Sequence, residues 1–223
     1  MLRVDLHVHS IYSRDSLMSL DTLIAAVQRR GLDAIALTDH NTIAGAQELA
    51  RHAPFPVIVG EEIKTNQGEI IGYFLRQTIP AGLSPLDTVR AIREQGGLVA
   101  VPHPFDRIRR SPLKREALWA IADQIDLLEV LNARVTLPAD NAAAVAFAQE
   151  RGLATSGGSD AHSPYEVGRA YTLLADISDR DRFAASLPTA QVSGRLCPIW
   201  VHFSSSWAKR YKKWRANAPK NGI

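Results

Sequence analysis

An α/β fold built on a mainly parallel sheet is predicted by three observations. One unit occurs three times: a polar helix end, a glycine suited to the left-handed cap position, a short apolar run and a closing polar cluster. Residues 28–31, 93–97 and 149–152 begin the three copies, and Thr38-Asp39-His40, Pro102-His103-Pro104 and Gly157-Gly158-Ser159-Asp160-Ala161-His162 close them. Apolar runs of strand length alternate with helical stretches, as in strands joined by crossover helices. The 223 residues, 46% hydrophobic and 22% charged, suit one domain with its own core and exclude disorder as the main state.

Along the chain, strands are expected at 3–8, 34–37, 56–59, 69–75, 98–101, 125–130, 153–156 and 170–174. Leu20, Leu23, Ile24 and Val27 fall at helical spacing behind Ser19 or Asp21 as a cap. Ser84-Pro85 opens a second helix through Leu86, Val89, Ala91 and Ile92, with proline in its first turn. Residues 139–150 are alanine-rich and favour helix. These units suffice for a closed barrel or for an open doubly wound sheet, and periodicity does not separate the two.

The formal charge of +3 hides a segregation. All 23 acids lie between Asp5 and Asp181, so the body 1–194 is net −4, whereas 195–223 holds seven Lys/Arg and no acid. No stretch has the ~18 apolar residues of a membrane span. The first residues lack a secretory core, and the single Cys197 fits a reducing compartment, so a cytoplasmic location is expected.

Metal-competent side chains gather at the carboxyl ends of the expected strands. Asp5, His7 and His9 come first, with Asp15 in the following loop; then come Asp39 and His40, Glu61 and Glu62, Glu69 at the start of the next strand, His103, and Asp160 with His162. Five of seven histidines hold such positions, leaving His52 and His202 elsewhere. In parallel α/β folds these ends meet on one face. His7 and His9, two apart on a strand, point to the same side. Taken singly, each motif has a plainer explanation as a cap, a turn or a core histidine. Jointly, clustered acids would repel one another unless cations bound them. Imidazoles and carboxylates without cysteine suit Zn, Mn or Fe.

Asp5-Leu6-His7-Val8-His9-Ser10, Leu37-Thr38-Asp39-His40-Asn41, Gly60-Glu61-Glu62-Ile63, Pro102-His103-Pro104 and Gly157–His162, in this order, resemble the PHP (polymerase and histidinol phosphatase) family of metal-dependent phosphoesterases. The resemblance implies a distorted (β/α)7, TIM-like barrel with two or three divalent ions, followed here by a basic helical tail. It assigns His7, His9, Glu62 and Asp160 to one ion, with Glu62 bridging to a second that His103 also holds. Asp15, His40 and His162 would hold a third. Glu69 stands where family members often have histidine, which shifts preference toward Mn or Mg. Asp5 and Asp39 would orient neighbouring imidazoles.

The expected reaction is hydrolysis of a phosphate ester of a small metabolite or nucleotide by a metal-bridging hydroxide. The catalytic set is Asp160 and His162, with Arg107 and Arg134 chosen over Arg109 and Arg110 to grip phosphate. The alternatives are a nuclease trimming oligonucleotides and a non-catalytic metal-binding regulatory domain. In the tail, Trp200, Phe203, Trp207, Tyr211 and Trp214 recur at helical steps among lysines and arginines. The expectation is a terminal helix that lays its aromatics on the barrel and its lysines in water, with nucleic acid or an anionic membrane surface as alternative contacts.

Overall fold

In the computed structural model, which describes residues 1–109 and 111–217 (the last two by backbone alone), the apolar runs form nine strands and seven helices. The first half runs β1 (Leu2–Val8), α1 (Leu20–Arg30), β2 (Ala34–Leu37), α2 (Ala44–His52), β3 (Val57–Thr65), β4 (Gly68–Tyr73) and α3 (Pro85–Glu94). It continues through β5 (Leu98–Val101), α4 (Arg115–Ile121), β6 (Leu127–Asn132), α5 (Pro138–Arg151) and β7 (Ala154–Gly158). β8 (Ala170–Leu174), α6 (Arg180–Ser186), β9 (Gln191–Gly194) and α7 (Val201–Asn217) complete the chain. Ser19 caps α1 by accepting from the Thr22 amide (3.2 Å), and Gly31 and Gly152 end α1 and α5 in the left-handed conformation.

The strand order is β7-β6-β5-β4-β3-β2-β1-β8-β9. Parallel pairing joins β1, β2 and β3 and also β5, β6 and β7. Two departures from an all-parallel sheet stand out. β3 runs on to Thr65 and folds back through a two-residue hairpin into β4, antiparallel to both β3 and β5. Gly68, at φ 130°, makes that reversal possible. β8 and β9 add antiparallel strands beside β1, and β9 is too short, polar and exposed to carry a periodicity signal.

The sheet curls into a distorted barrel, because the end of β7 returns to β1. The Asp160 amide donates to His7 O (2.7 Å), the His9 amide donates to Ala161 O (2.9 Å), and Val8 and Ala161 form a parallel bridge. Gly158 lets the strands meet there: a Cβ on it would lie 2.4 Å from that of His7. Val4, Leu6, Ala36, Ile71, Ala100 and Leu127 fill the interior, and Phe183 closes the end at which β1 begins. Two further apolar layers pack α1 and α2, and then α3, α4 and α5, against the outside. The opposite rim, at the carboxyl ends of the parallel strands, is polar.

Candidate metal centre

The rim residues reach inward because the backbone bends there. The β1–β2 register shifts between Asp5 and Val8, so the buried apolar Leu6 is followed directly by His7 and, two residues on, His9, both facing the centre. His103, Asp160 and Asn41 hold positive φ angles of 31°, 53° and 56°, sparsely populated for side chains with a Cβ and typical of functional sites.

The expected ligands converge. His7 Nε2 and His9 Nε2 lie 3.5 and 3.4 Å from Glu62 Oε2, and 3.8 and 3.4 Å from Asp160 Oδ1. Glu62 Oε1 lies 3.1 Å from His103 Nε2, which is 3.9 Å from Glu69 Oε2. Asp15 sits between His40 Nε2 and His162 Nε2, at 3.3 Å from each, and His40 Nδ1 reaches Glu62 Oε2 at 2.9 Å. Four overlapping trios of donor atoms each fall within 4.8 Å: His7-His9-Asp160, His7-Glu62-His103, His9-His40-His162 and His40-Glu62-Glu69.

Hydrogen bonding decides what fits between them. His7 Nδ1 donates to Glu129 Oε1 (3.1 Å). Ser13 Oγ donates to Asp39 Oδ1 (2.6 Å) and therefore accepts from His9 Nδ1 (3.1 Å). In the neutral rings both Nε2 atoms are then lone pairs, and they face each other across 3.1 Å. His162 repeats the pattern: Nδ1 donates to the Asp160 carbonyl (2.8 Å), and Nε2 points at Asp15 Oδ1, a buried oxygen with no hydrogen-bond partner. With its rings neutral, this arrangement sets acceptor against acceptor and fits around a cation. Imidazole nitrogens and carboxylate oxygens without thiolate fit a borderline or hard divalent ion.

The electrostatics show how strongly this site draws positive charge, which a proton on His7 supplies when no ion does. Burial opposes charge on His7, but the carboxylates of Asp160, Glu129 and Glu62 outweigh it and raise its pKa well above the ordinary imidazole value. Burial also favours neutral Glu62 and Asp160, yet the surrounding cations hold both well below the usual carboxylate range. Burial, with Arg134 and His9 nearby, brings His162 down to about 3, leaving its nitrogen free to ligate. Glu69 is raised, first by burial and then by the Glu62 charge.

Residues just outside this group differ from expectation. Asp39 orients His9 only through Ser13, and it also binds the Ser10 amide (2.7 Å) and hydroxyl (2.6 Å). Asp5 orients no imidazole; it accepts from the backbone amides of Ser159 (2.8 Å) and Gly168 (2.9 Å), and burial pushes it up to about 6. Glu61 is on the other face of β3, where it accepts from the Ile79 amide (2.9 Å), and burial pushes it up to about 7. Glu129 was missed. Its carboxylate binds His7, the His103 amide (2.8 Å) and Asn132 Nδ2 (2.9 Å). The signal was available, since it is the one acid in the apolar run Leu127-Leu128-Glu129-Val130-Leu131.

A cavity of about 320 Å³ opens above these groups, and its rim is cationic. Arg109 reaches in to pair with Asp160, held from behind by Asp106 (2.6 Å), and Asn132 accepts from it (3.1 Å). Arg134 is buried on the same wall, with its Nε 3.3 Å from Glu166. Arg107 lies apart: its side chain is mostly exposed and tied to Asp140 at 2.6 Å. Arg110 is outside the described residues.

The roof is α7, and its orientation reverses the expected one. Val201, Ser205 and Ala208 are buried, whereas Phe203, Trp207 and Trp214 are about two-thirds or more exposed and Trp200 is half exposed. Lys209 Nζ reaches Asp15 Oδ2 (3.2 Å), and Lys212 Nζ donates to the carbonyls of Ser13 (2.6 Å) and Ile11. Arg134 donates to Ser205 Oγ (2.9 Å), and His202 lines the cavity. Small residues let the helix approach a polar rim that has no place for indole rings, and the ammonium groups are drawn to its carboxylate and carbonyls.

Comparison with known proteins gives concordant results. The PHP domain family matches residues 5–111, and the PHP-associated family matches 138–192. An uncharacterised protein of Methanocaldococcus jannaschii is 38% identical over 146 residues, covering 59% of this chain and 82% of its own. A 5'-3' exoribonuclease of Haemophilus influenzae is 35% identical over 100 residues, covering 42% of this chain and 36% of its own. In fold, the chain is similar to a two-domain protein of Bacteroides vulgatus described as containing a predicted PHP-like metal-dependent phosphoesterase. Their TM-score is 0.69 at 22% identity, over 87% of this chain and 65% of that one.

Proposed function

The chain belongs to the PHP family, and from that premise we propose that it hydrolyses a phosphate ester of a small phosphorylated metabolite or nucleotide, using two or three divalent ions. The observation that carries the reading is the convergence of four overlapping trios of imidazole and carboxylate donors, in which His162 Nε2 faces the unpartnered Asp15 Oδ1 and, with the rings neutral, His7 Nε2 faces His9 Nε2. His7, His9, Glu62 and Asp160 would hold one ion; Glu62 and His103, with Glu69 beside them, a second; and Asp15, His40 and His162 a third. Bound divalent ions supply a water acidic enough to attack at neutral pH and a counter-charge for phosphate oxygens. Zn, Mn and Fe suit the nitrogens, and Glu69 adds weight to Mn or Mg.

The chain's own groups do the rest. Arg109, Arg134 and Lys209 converge on the cavity and would grip the phosphate, the guanidiniums by paired hydrogen bonds and the lysine as a point charge. α7 would shield the reacting group from bulk water and limit the substrate's size, so 195–223 is assigned the role of a roof over the catalytic body 1–194. Asp160 and His162 would act by holding ions, and Arg107, paired with Asp140 away from the cavity, has no part. Cys197, its thiol pushed up to about 12 chiefly by burial, has no nucleophilic role. No helix among the described residues is long and apolar enough to cross a membrane. A cytoplasmic location is proposed on the single cysteine.

The test is elemental analysis of purified protein, then phosphate release from a panel of small esters with Mn, Zn or Fe. His9→Ala and Asp160→Ala should lose metal and turnover together. Turnover that persists in metal-depleted protein would refute the reading. The second reading is an exonuclease, favoured by the likeness to the Haemophilus exoribonuclease. It requires a strand end to enter beneath α7, and removal of α7 should then alter cleavage of oligonucleotides more than cleavage of small esters.

A further inference from the structure

Away from the metal centre, a second cavity of about 380 Å³ lies outside the β1–β8–β9 arc, against the end of α1. Arg3, Arg29, Arg30, Arg169 and Arg195 all line it. Among the described residues, no carboxylate oxygen comes within 4.0 Å of any of these guanidiniums. The neighbouring Asp33 accepts from the Arg3 backbone amide instead (2.7 Å).

The arrangement is built rather than incidental. The Arg3 guanidinium lies over the Tyr171 ring at 4.5 Å, and that of Arg169 lies over Tyr165 at 4.3 Å. Arg30 is anchored to the Tyr165 carbonyl at 2.6 Å. The Arg195 amide donates to the Arg169 carbonyl (2.7 Å), which brings those two residues side by side. Only glycine permits that approach, because a Cβ on Gly194 (φ 150°) would lie 2.4 Å from the Arg169 carbonyl. The Nε atoms of Arg3, Arg30 and Arg169 are buried without a hydrogen-bond partner. Burial, followed by the charges of Arg169, Arg195 and Arg29, lowers Arg30 from its ordinary value.

Five cations held together without a counter-charge repel one another, and a bound anion removes that repulsion. We propose that this pocket binds a compact polyanion carrying two or more linked phosphate groups. A single phosphate bears at most two charges and would leave the cluster strongly positive, whereas a chain of phosphates matches both its charge and its fork-shaped donors.

The test uses the full chain with its metal in place, and the arginine variants, which leave the catalytic pocket unchanged, separate binding here from binding there. Calorimetric titration compares tripolyphosphate, ATP and inorganic phosphate. The expected result at this site is one equivalent of tripolyphosphate, bound at least about tenfold more tightly than inorganic phosphate. The double variant Arg29→Ala/Arg195→Ala, altered at two exposed positions, should weaken it about tenfold or more, and Arg30→Gln should do the same. ATP bound as tightly as tripolyphosphate identifies the phosphates as the whole of the recognition; tighter ATP binding identifies a nucleoside polyphosphate. Either result supports the site. Absence of binding, or binding that the double variant leaves within about twofold, overturns it. So does arginine-dependent binding of a single-stranded oligonucleotide without binding of tripolyphosphate.

Discussion

Glu129 carries the most informative single substitution, Glu129→Gln. Its carboxylate receives three hydrogen bonds, from His7 Nδ1 (3.1 Å), the His103 amide (2.8 Å) and Asn132 Nδ2 (2.9 Å), split between its two oxygens. Glutamine has the same shape but exchanges one oxygen for an NH2 group. In one orientation that group meets the His7 Nδ1–H, and in the other it meets the His103 and Asn132 donors. A donor facing a donor in a buried site costs about 1–3 kcal/mol. If His7 is the loser, its ring turns over or shifts and Nε2 no longer faces His9. If His103 is, the loop at its positive φ relaxes. Either way an ion-binding nitrogen loses its support, and a loss of about 10–100-fold in metal affinity is expected. That range corresponds to roughly 1.4–2.7 kcal/mol, in line with the cost of the unmade hydrogen bond. The assay is competition against a chelator of known affinity, with circular dichroism to verify the fold. A correctly folded Glu129→Gln protein that binds Mn or Zn within twofold of the parent would refute the reasoning.

Three further outcomes follow from the geometry. Gly158→Ala forces a Cβ to within 2.4 Å of that of His7 and 2.7 Å of Glu129 Oε1, so it should cost about 1–3 kcal/mol, and an unchanged melting temperature would contradict the tight seam. Lys209→Met should raise KM for a phosphate ester about tenfold while changing kcat little, and steady-state kinetics showing the reverse would remove Lys209 from phosphate binding. Cys197, with its thiol raised to about 12, is neutral throughout the physiological range; alkylation should be slow at pH 8 and still rising above pH 9, whereas a plateau near pH 9 would mean an ordinary exposed thiol.

Much of the fold was legible because barrel strands at the centre of an α/β protein are apolar on both faces, so β2, β5 and β6 stood out as short runs, while β1 and β7 were marked by the polar clusters that close them. The β3–β4 hairpin was not, because its strands are separated only by Asn66 and Gln67, and an apolar run does not state its direction. Most candidate ligands were legible because they follow an apolar run, as His9, His40, His103, Asp160 and His162 do, whereas Asp15 lies in the loop after β1 and Glu62 lies within the extended β3. Glu61 and Glu62 show the limit: adjacent in sequence and alike in chemistry, they are separated by the two-residue period of β3. The arginines misled for a related reason. Arg107 and Arg109 differ in which acid each meets, Asp140 or Asp160, and the sequence holds no record of that pairing. The tail failed as a pattern, since a helical stripe of aromatics identifies an amphipathic helix without saying which face is turned inward.

The return of β7 to β1 would give bound divalent ions a mechanical role besides a chemical one. His7, His9 and Asp160 are both the donors that crowd the centre and the residues whose backbones join the first strand to the seventh, across some 150 positions of chain. An ion clasped by their side chains would act as a rivet through the weld line of the barrel. Chelation would then loosen the hoop before it touches the helices, and amide exchange should quicken first along that joint.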